Sequence, residues 1–344
     1  MACVIVFFAL TSSAQLEINT YLRSFNGIVN TIEVDSVRGR AYFGGEFTTY
    51  AGSRNGGEIF DENQMRPSYS LPWVPYVDIT VDDGEGGWII ATHYFEGIDE
   101  SSTQNYQFIQ IHPDGSYTDL PYNIATNQAG WEVDEMIRYE NYIIYSVGYD
   151  LTVFDWHTGE VVMTASANQW IRHLCVYDNL LYVTGYFTAM ESQPRNSVAS
   201  FDLSNFQLTD WNPVVDYFTT LTVQAEVTEM VQTPTHNYFL IAKSSYWGST
   251  VYTYFKIVKL SRVDDSFIEM LDFYSMNSAA YMTVWNDRII FKEYYTSSGM
   301  PSSTIIHSFA DTELYDETTH QQLQFDGSVS YMTLKNDVLY ITGG

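Results

Sequence analysis

Apolar and polar positions along this chain alternate in short runs and do not recur with a helical period. AYFGG from Ala41, WIIAT from Trp88, YIIYSV from Tyr142, LYVTG from Leu181, YFLIAK from Tyr238, RIIFKEY from Arg288 and LYITG from Leu339 are rich in aromatic and β-branched residues, and each follows a tight polar turn. Such residues suit a pleated, half-buried surface, so the pattern predicts strands almost throughout, with helix a minor element. The turns read Gly39-Arg40, Gly86-Gly87, Glu140-Asn141, Asp178-Asn179, His236-Asn237, Asn286-Asp287 and Asn336-Asp337. Asn, Asp and Gly tolerate the positive φ of a two-residue hairpin. Their second residues step by 47, 54, 38, 58, 50 and 50, and a period near ~50 residues built of short strands marks a β-propeller blade. The expectation is an all-β chain of about seven four-stranded blades, with the turn ladder joining the first and second strand of each.

A longer repeat overlies this ladder. Ala41 to Asn55 read AYFGGEFTTYAGSRN, Leu181 to Asn196 read LYVTGYFTAMESQPRN, and Leu339 to Gly344 begin the phrase again. Gly45 and Gly185 are 140 residues apart, as are Phe47 and Phe187, and WVPYVD from Trp73 recurs as WNPVVD from Trp211. The phrase is expected to join the second and third strands of a blade, on the face that also carries the link to the next blade. In a structural role, Gly44, Gly45 and Gly185 let a strand end approach a neighbouring backbone, and Phe47 and Phe187 pack between blades. Thr48, Thr188, Asn55 and Asn196 shape the loop, and Arg54 and Arg195 hydrogen-bond its carbonyls. In a functional role, Arg54, Trp73, Arg195 and Trp211 present a ligand surface on that face.

GGEFTTYAGSRN and TGYFTAMESQPRN, followed by Phe60-Asp61 and Phe201-Asp202 and later by Trp211-Asn212-Pro213, resemble the delta-60 repeat propellers of secreted bacterial proteins. VFDWHTGEV from Val153 is similar to the outer-strand turn of quinoprotein-type propeller repeats. Both resemblances imply a propeller and export. Neither implies one activity, because function resides in a site and not in a fold.

The ends bear on localisation. Met1 to Leu10 (MACVIVFFAL) followed by TSSAQ reads as a signal-peptide core with a small-residue cleavage site before Gln15, although the basic start is missing. Residues 1–14 are thus expected to be a signal peptide and 15–344 a single propeller domain. The phrase breaks off at Gly344, so the last blade is expected either to be clipped or to be closed by an outer strand from Leu16 to Leu22. The net charge of -27, with only 15 basic residues, excludes nucleic acid and anionic membrane surfaces as partners, since both need clustered Lys and Arg. Cys3 lies in the expected signal, leaving Cys175 without an internal disulfide partner.

Catalytic motifs do not emerge. The 7 histidines show no metal-ligand spacing. His173 and Cys175 fall in an inner strand at positions where matching segments hold Tyr281 and Tyr331, and Thr283 and Thr333, which reads as packing. Asp82, Asp83 and Glu85 lack the ligand order of a calcium loop and coincide with a hairpin turn. Adjacent acids such as Asp134-Glu135 point to opposite faces of a strand. No metal and no cofactor is expected. The 28 tyrosines serve either the seams between blades or exposed aromatic platforms such as Tyr246-Trp247 and Tyr294-Tyr295. The expected function is a secreted or cell-surface, monomeric, non-catalytic module binding an extracellular protein or glycan. The alternatives are a carbohydrate-active enzyme with a carboxylate site in the central channel, and a quinone- or metal-dependent oxidoreductase.

Overall fold

The aromatic and β-branched runs form strands, and successive strands pair antiparallel with their chain neighbours. A computed structural model of the chain describes residues 77–96, 103–126, 133–213, 226–247, 250–264 and 266–275. Elsewhere it describes the strands 6–10, 16–19, 28–35, 40–46, 57–61, 66–69, 279–285, 288–295, 303–310, 321–326, 329–335 and 338–343. No helix occurs among the described residues.

The strands form seven four-stranded antiparallel sheets among the described residues, here numbered in chain order. The first comprises Ile28–Asp35, Arg40–Glu46, Gly57–Asp61 and Arg66–Tyr69. The second comprises Val77–Asp82, Trp88–Glu96, Thr103–Ile111 and Tyr117–Thr126. The third holds Glu135–Tyr139, Tyr142–Val147, Asp150–Asp155 and Val161–Ser166. The fourth holds Ile171–Tyr177, Leu180–Gly185, Val198–Asp202 and Gln207–Leu208. The fifth runs through Glu226–Gln232, His236–Trp247, Thr250–Ser261 and Phe267–Ser275. The sixth runs through Ala279–Trp285, Arg288–Tyr295, Ser303–Ala310 and Gln321–Asp326. In the seventh, Val329–Lys335 and Val338–Gly343 are joined by Val6–Leu10 and, outermost, Leu16–Asn19, so that Phe8 pairs with Leu339 on one side and Ile18 on the other. The chain divides into two compact units, one of Met1–Tyr145, Val153–Val162 and Val329–Gly344, the other of Ser146–Thr152 and Met163–Ser328.

Turn chemistry follows the ladder with three shifts, one at Gly86-Gly87, where the loop runs from Asp83 to Gly87 between the paired Asp82 and Trp88. Glu140, Asp178 and Asn179 take positive φ, and Tyr177 pairs with Leu180 across the tight Asp178-Asn179 turn. The rung expected at His236-Asn237 lies earlier, because Gln232 pairs with Asn237 and the Thr233 N–H donates to the His236 carbonyl at 2.9 Å. Pro234 supplies a fixed negative φ there, so no Asn in the left-handed region is needed. Arg40 likewise belongs to its strand, pairing with Asp35.

The second strand of the fifth sheet is apolar on both faces because it contributes to two seams. In Tyr238–Ala242, Tyr238, Leu240 and Ala242 pack with Phe255, Ile257, Met282, Ile289 and Phe291, toward the sixth sheet. Phe239 and Ile241 pack with Tyr182, Val198, Val227, Val258 and Leu260, toward the fourth. Strand geometry sends alternate side chains to opposite faces, which divides the run this way. The third strand divides by the same alternation, Phe255 and Ile257 serving one seam and Val258 and Leu260 the other.

The turns between third and fourth strands repeat an aspartate that caps its own turn. Asp114, Asp202 and Asp264 each accept the backbone N–H and the hydroxyl of the serine two residues on, at 2.6 to 3.2 Å. Asp155 accepts the N–H groups of His157 and Thr158, each at 2.9 Å. These bonds hold the carboxyls of Asp114 and Asp202 below the ordinary value, and the hydroxyls of Ser261 and Ser266 with the Ser266 N–H bring Asp264 to about 2.

Phe239→Ala, which empties a fully buried site between two sheets, is expected to cost about 3–5 kcal/mol in chemical denaturation. A carboxyl lowered by folding contributes stability above its unfolded pKa and loses it as pH falls through the folded value. Asp264 therefore contributes fully above about pH 4, and its share disappears as pH falls toward about 2. The denaturation midpoint of Asp264→Asn should fall less steeply over that window than that of the wild type.

Candidate functional site

Six first strands carry one unpaired residue opposite their partner, a β-bulge. The register shifts between Val29 and Thr31, Val77 and Ile79, Ile171 and His173, Val227 and Glu229, Ala280 and Met282, and Val329 and Tyr331. A bulge re-aims the side chains on either side of it. The bulged Tyr281 takes a positive φ, 62°, an unfavourable conformation for a bulky side chain.

In the unit of Met163–Ser328, the bulged strands of the fourth, fifth and sixth sheets pack side by side and meet through polar groups. The Arg172 guanidinium lies on the Glu226 carboxylate. His173 Nε2 is 3.1 Å from the Met230 carbonyl oxygen, and its Nδ1 is 3.2 Å from Glu229 Oε1. The backbone N–H of Tyr281 donates to Glu229 Oε2 at 3.2 Å. Lys292 sits over the Tyr281 ring with Nζ 4.2 Å from its centroid. Farther along, the Gln232 amide donates to Cys175 Sγ at 3.3 Å, and Arg262 reaches Asp178 at 3.0 Å while covering the Tyr177 ring. Partners across the first of these seams lie 54 to 57 residues apart in the chain from Arg172 to Gln232, about one step of the turn ladder.

The site is nearly dry. His173 and Glu229 side chains are 16% and 13% exposed and Lys292 is 6% exposed. Burial pushes the Glu229 carboxyl up, against the opposing pull of His173, the Tyr281 N–H and Lys292. Burial also lowers the Lys292 ammonium to about 8, against the holding effect of Glu229. His173 was expected as a packed ring, and it fills a seam while bonding through both nitrogens. Glu229 and Lys292 escaped sequence reasoning. The available signal was the charge of Lys292 inside RIIFKEY, at a position where other second strands hold small uncharged residues such as Gly45, Thr92, Ser146 and Thr184.

The repeated phrase takes up a second cluster. In its second copy, Gly185 closes against the Trp170 carbonyl, which a Cβ there would meet at 2.2 Å. Phe187 and Met190 are fully buried. The Asn168 side chain accepts the N–H groups of Thr188 and Ala189 at 2.9 and 3.0 Å and donates to the Thr188 hydroxyl at 2.8 Å, docking the loop. Arg195 is 6% exposed, and its guanidinium donates to the carbonyls of Pro194 and Thr209 at 2.7 and 2.6 Å. Trp211 is half-buried with its ring 5.2 Å from that of Tyr182 in a T-shaped contact. Asn196, half-buried, precedes Ser197, whose φ is positive. In the first copy Gly44 and Gly45 lie in a strand, whereas Phe47, Thr48, Arg54, Asn55 and Trp73 lie outside the described residues. In the DDGEGG turn, buried Asp83 accepts the N–H groups of Glu85 and Gly87 and the Gln110 amide, each at 2.8 Å, while Arg138 donates to the Asp82 carbonyl at 2.6 Å.

No protein-family model matches the chain, and no curated protein matches it. Among solved structures, Saccharomyces cerevisiae Sqt1 is similar at 10% identity and a TM-score of 0.49, over 94% of this chain and 97% of that one. The extracellular domain of a one-component system from B. thetaiotaomicron is similar at 10% identity and a TM-score of 0.36, over 98% of this chain and 57% of that one.

Asn168→Ala removes the acceptor of two solvent-accessible backbone N–H groups and is expected to cost about 1 kcal/mol. Asn168→Asp keeps both acceptor bonds and should recover most of that loss, as read by denaturant midpoints of the two variants.

Proposed function

We propose that the chain is a secreted or surface-displayed β-propeller that binds an extracellular protein or glycan and carries no catalysis of its own. The architecture supports this reading through the succession of four-stranded sheets with the first-to-second hairpin of a propeller blade. The observation that carries the binding role is an aromatic platform in the unit containing the fourth sheet. Tyr149 and Trp170 meet edge to face with centroids 5.3 Å apart, and the Arg172 guanidinium stands 5.5 Å from the Trp170 ring. Tyr186 joins them through its N–H, which donates to the Trp170 carbonyl at 2.8 Å. All three aromatics are half-buried and Arg172 is exposed. Rigid aromatic rings beside an Arg supply contact area at little entropic cost, a composition favoured where partners are bound.

The charged side chains of the inner strands support the non-catalytic part of the reading. Glu226 is engaged by Arg172, and Glu229 by His173 and the Tyr281 backbone. A glycosidase needs two carboxyl groups facing one bond, one to protonate the leaving group and one to act as base or nucleophile. Ion pairing to neighbouring strands gives these two acids a structural task.

The four ligand residues expected from sequence divide under this proposal. Arg195 and Trp211 act by shaping the loop that borders the platform, while Arg54 and Trp73 keep their proposed ligand role. The ligand is captured by a monomer, and export uses residues 1–14 as the signal.

Screening the exported protein against immobilised glycans and extracellular proteins should give a ligand whose affinity falls at least about tenfold in Trp170→Ala with Tyr149→Ala, measured at a temperature below that variant's unfolding transition. Glycan cleavage by the wild type would overturn the proposal. The intact mass of the exported chain should correspond to a start at Gln15. A mass that retains Val6–Leu10 would instead assign that run permanently to the seventh sheet and remove the signal-peptide reading.

A further inference from the structure

The contacts of His173 constrain where its protons reside. A backbone carbonyl only accepts hydrogen bonds, so the nitrogen 3.1 Å from the Met230 oxygen, Nε2, carries a hydrogen. The other nitrogen, Nδ1, then faces Glu229 Oε1 at 3.2 Å. With a neutral imidazole and an ionised carboxylate, two lone pairs would oppose each other in a site from which water is almost excluded. The approach is favourable only if one further proton lies between Nδ1 and Oε1, either as an imidazolium beside a carboxylate or as a carboxylic acid donating to a neutral ring. The second carboxyl oxygen is already satisfied by the Tyr281 N–H.

We infer that this shared proton is a bound structural ligand that joins the inner strands of the fourth, fifth and sixth sheets, so that the seam is closed while the proton is held and loosens when it leaves. The groups facing it are known from each strand packed against it. The fourth sheet contributes His173 and, one residue back, Arg172, which is neutralised by Glu226. The fifth contributes Glu229. The sixth contributes the Tyr281 N–H and ring and, beneath that ring, Lys292. With the proton in place, the His173–Glu229 pair is neutral overall and Lys292 is the remaining cation. Without it, the lone pairs of Nδ1 and Oε1 oppose each other across the seam, and only the Nε2–Met230 and Tyr281–Oε2 bonds still hold the three strands together. Burial raises the Glu229 carboxyl, the direction expected of a proton that the fold retains.

The sign of the pH effect follows. A group whose folded pKa is raised contributes stability that is present at low pH and is lost as pH rises through the folded value. The seam therefore tightens on acidification, opposite to the aspartate turns, whose contribution disappears only near pH 2.

The test uses the full chain and two variants. Glu229→Gln places a permanent donor against Nδ1 and a carbonyl against the Tyr281 N–H, reproducing the protonated pair at every pH. Glu229→Ala removes both contacts. Denaturant midpoints measured from about pH 5 to about pH 7, below the range in which Lys292 gives up its proton with the opposite effect on stability, should fall with rising pH in the wild type, whereas the Glu229→Gln curve should lack that component and lie above wild type at the upper end. The Glu229→Ala protein should be less stable than both at the acidic end. Parallel wild-type and Glu229→Gln curves would overturn the proposal, as would a Glu229→Gln protein as unstable as Glu229→Ala. Nitrogen NMR of the imidazole in the wild type provides a readout independent of any variant. The proposal requires Nδ1 to be protonated or hydrogen-bonded to a donor at neutral pH, and a bare Nδ1 beside an ionised Glu229 overturns it.

Discussion

Burial on both faces of the second strands is the constraint from which the rest follows. A four-stranded sheet this small cannot keep apolar side chains on two faces unless another sheet covers each, because exposing either would forfeit about 25 cal/mol for every Å² of apolar surface. Tyr238, Phe239, Leu240, Ile241 and Ala242 are consecutive and all buried, divided by strand alternation between two neighbours. Ile143, Ile144 and Tyr145 and Leu181, Tyr182 and Val183 form comparable runs in other sheets.

Stacking sheets this way brings their first strands together edgewise, where backbone and charged groups meet. The bulges take effect there. By inserting one residue before His173 and before Glu229, they bring the imidazole and carboxylate into contact across a seam. At Tyr281 the same device exposes a backbone N–H to the carboxylate, and the positive φ of that tyrosine is tolerated because the carboxylate, the ring and Lys292 all fix it. A buried charged group needs partners of this number and geometry, since desolvation otherwise exceeds the Coulombic gain.

The repeated phrase illustrates how a conspicuous sequence motif can serve architecture. Its arginine is spent on two carbonyls and its phenylalanine lies in the core, while the side chain that anchors the whole loop, Asn168, belongs to the preceding link and not to the phrase. The proposed binding platform is built on that anchored frame. Trp170 receives the close approach of Gly185 at its carbonyl and offers its ring to Tyr149 and Arg172.

Strand identity, hairpin spacing and the all-β class were legible in the sequence because they depend on local chemistry. Alternating apolar residues make strands, and Asn, Asp and Gly mark turns. Even the misplaced rung near His236 was a local matter, settled by Pro234. The Asp-x-Ser caps belong to this local class as well. The partners of Glu229 were decided by tertiary structure alone. Its contacts with His173 and Tyr281 span 56 and 52 residues and depend on three bulges acting together. A one-residue slip at any of them would turn the side chains concerned to the opposite face, and no periodicity in the chain records such an insertion.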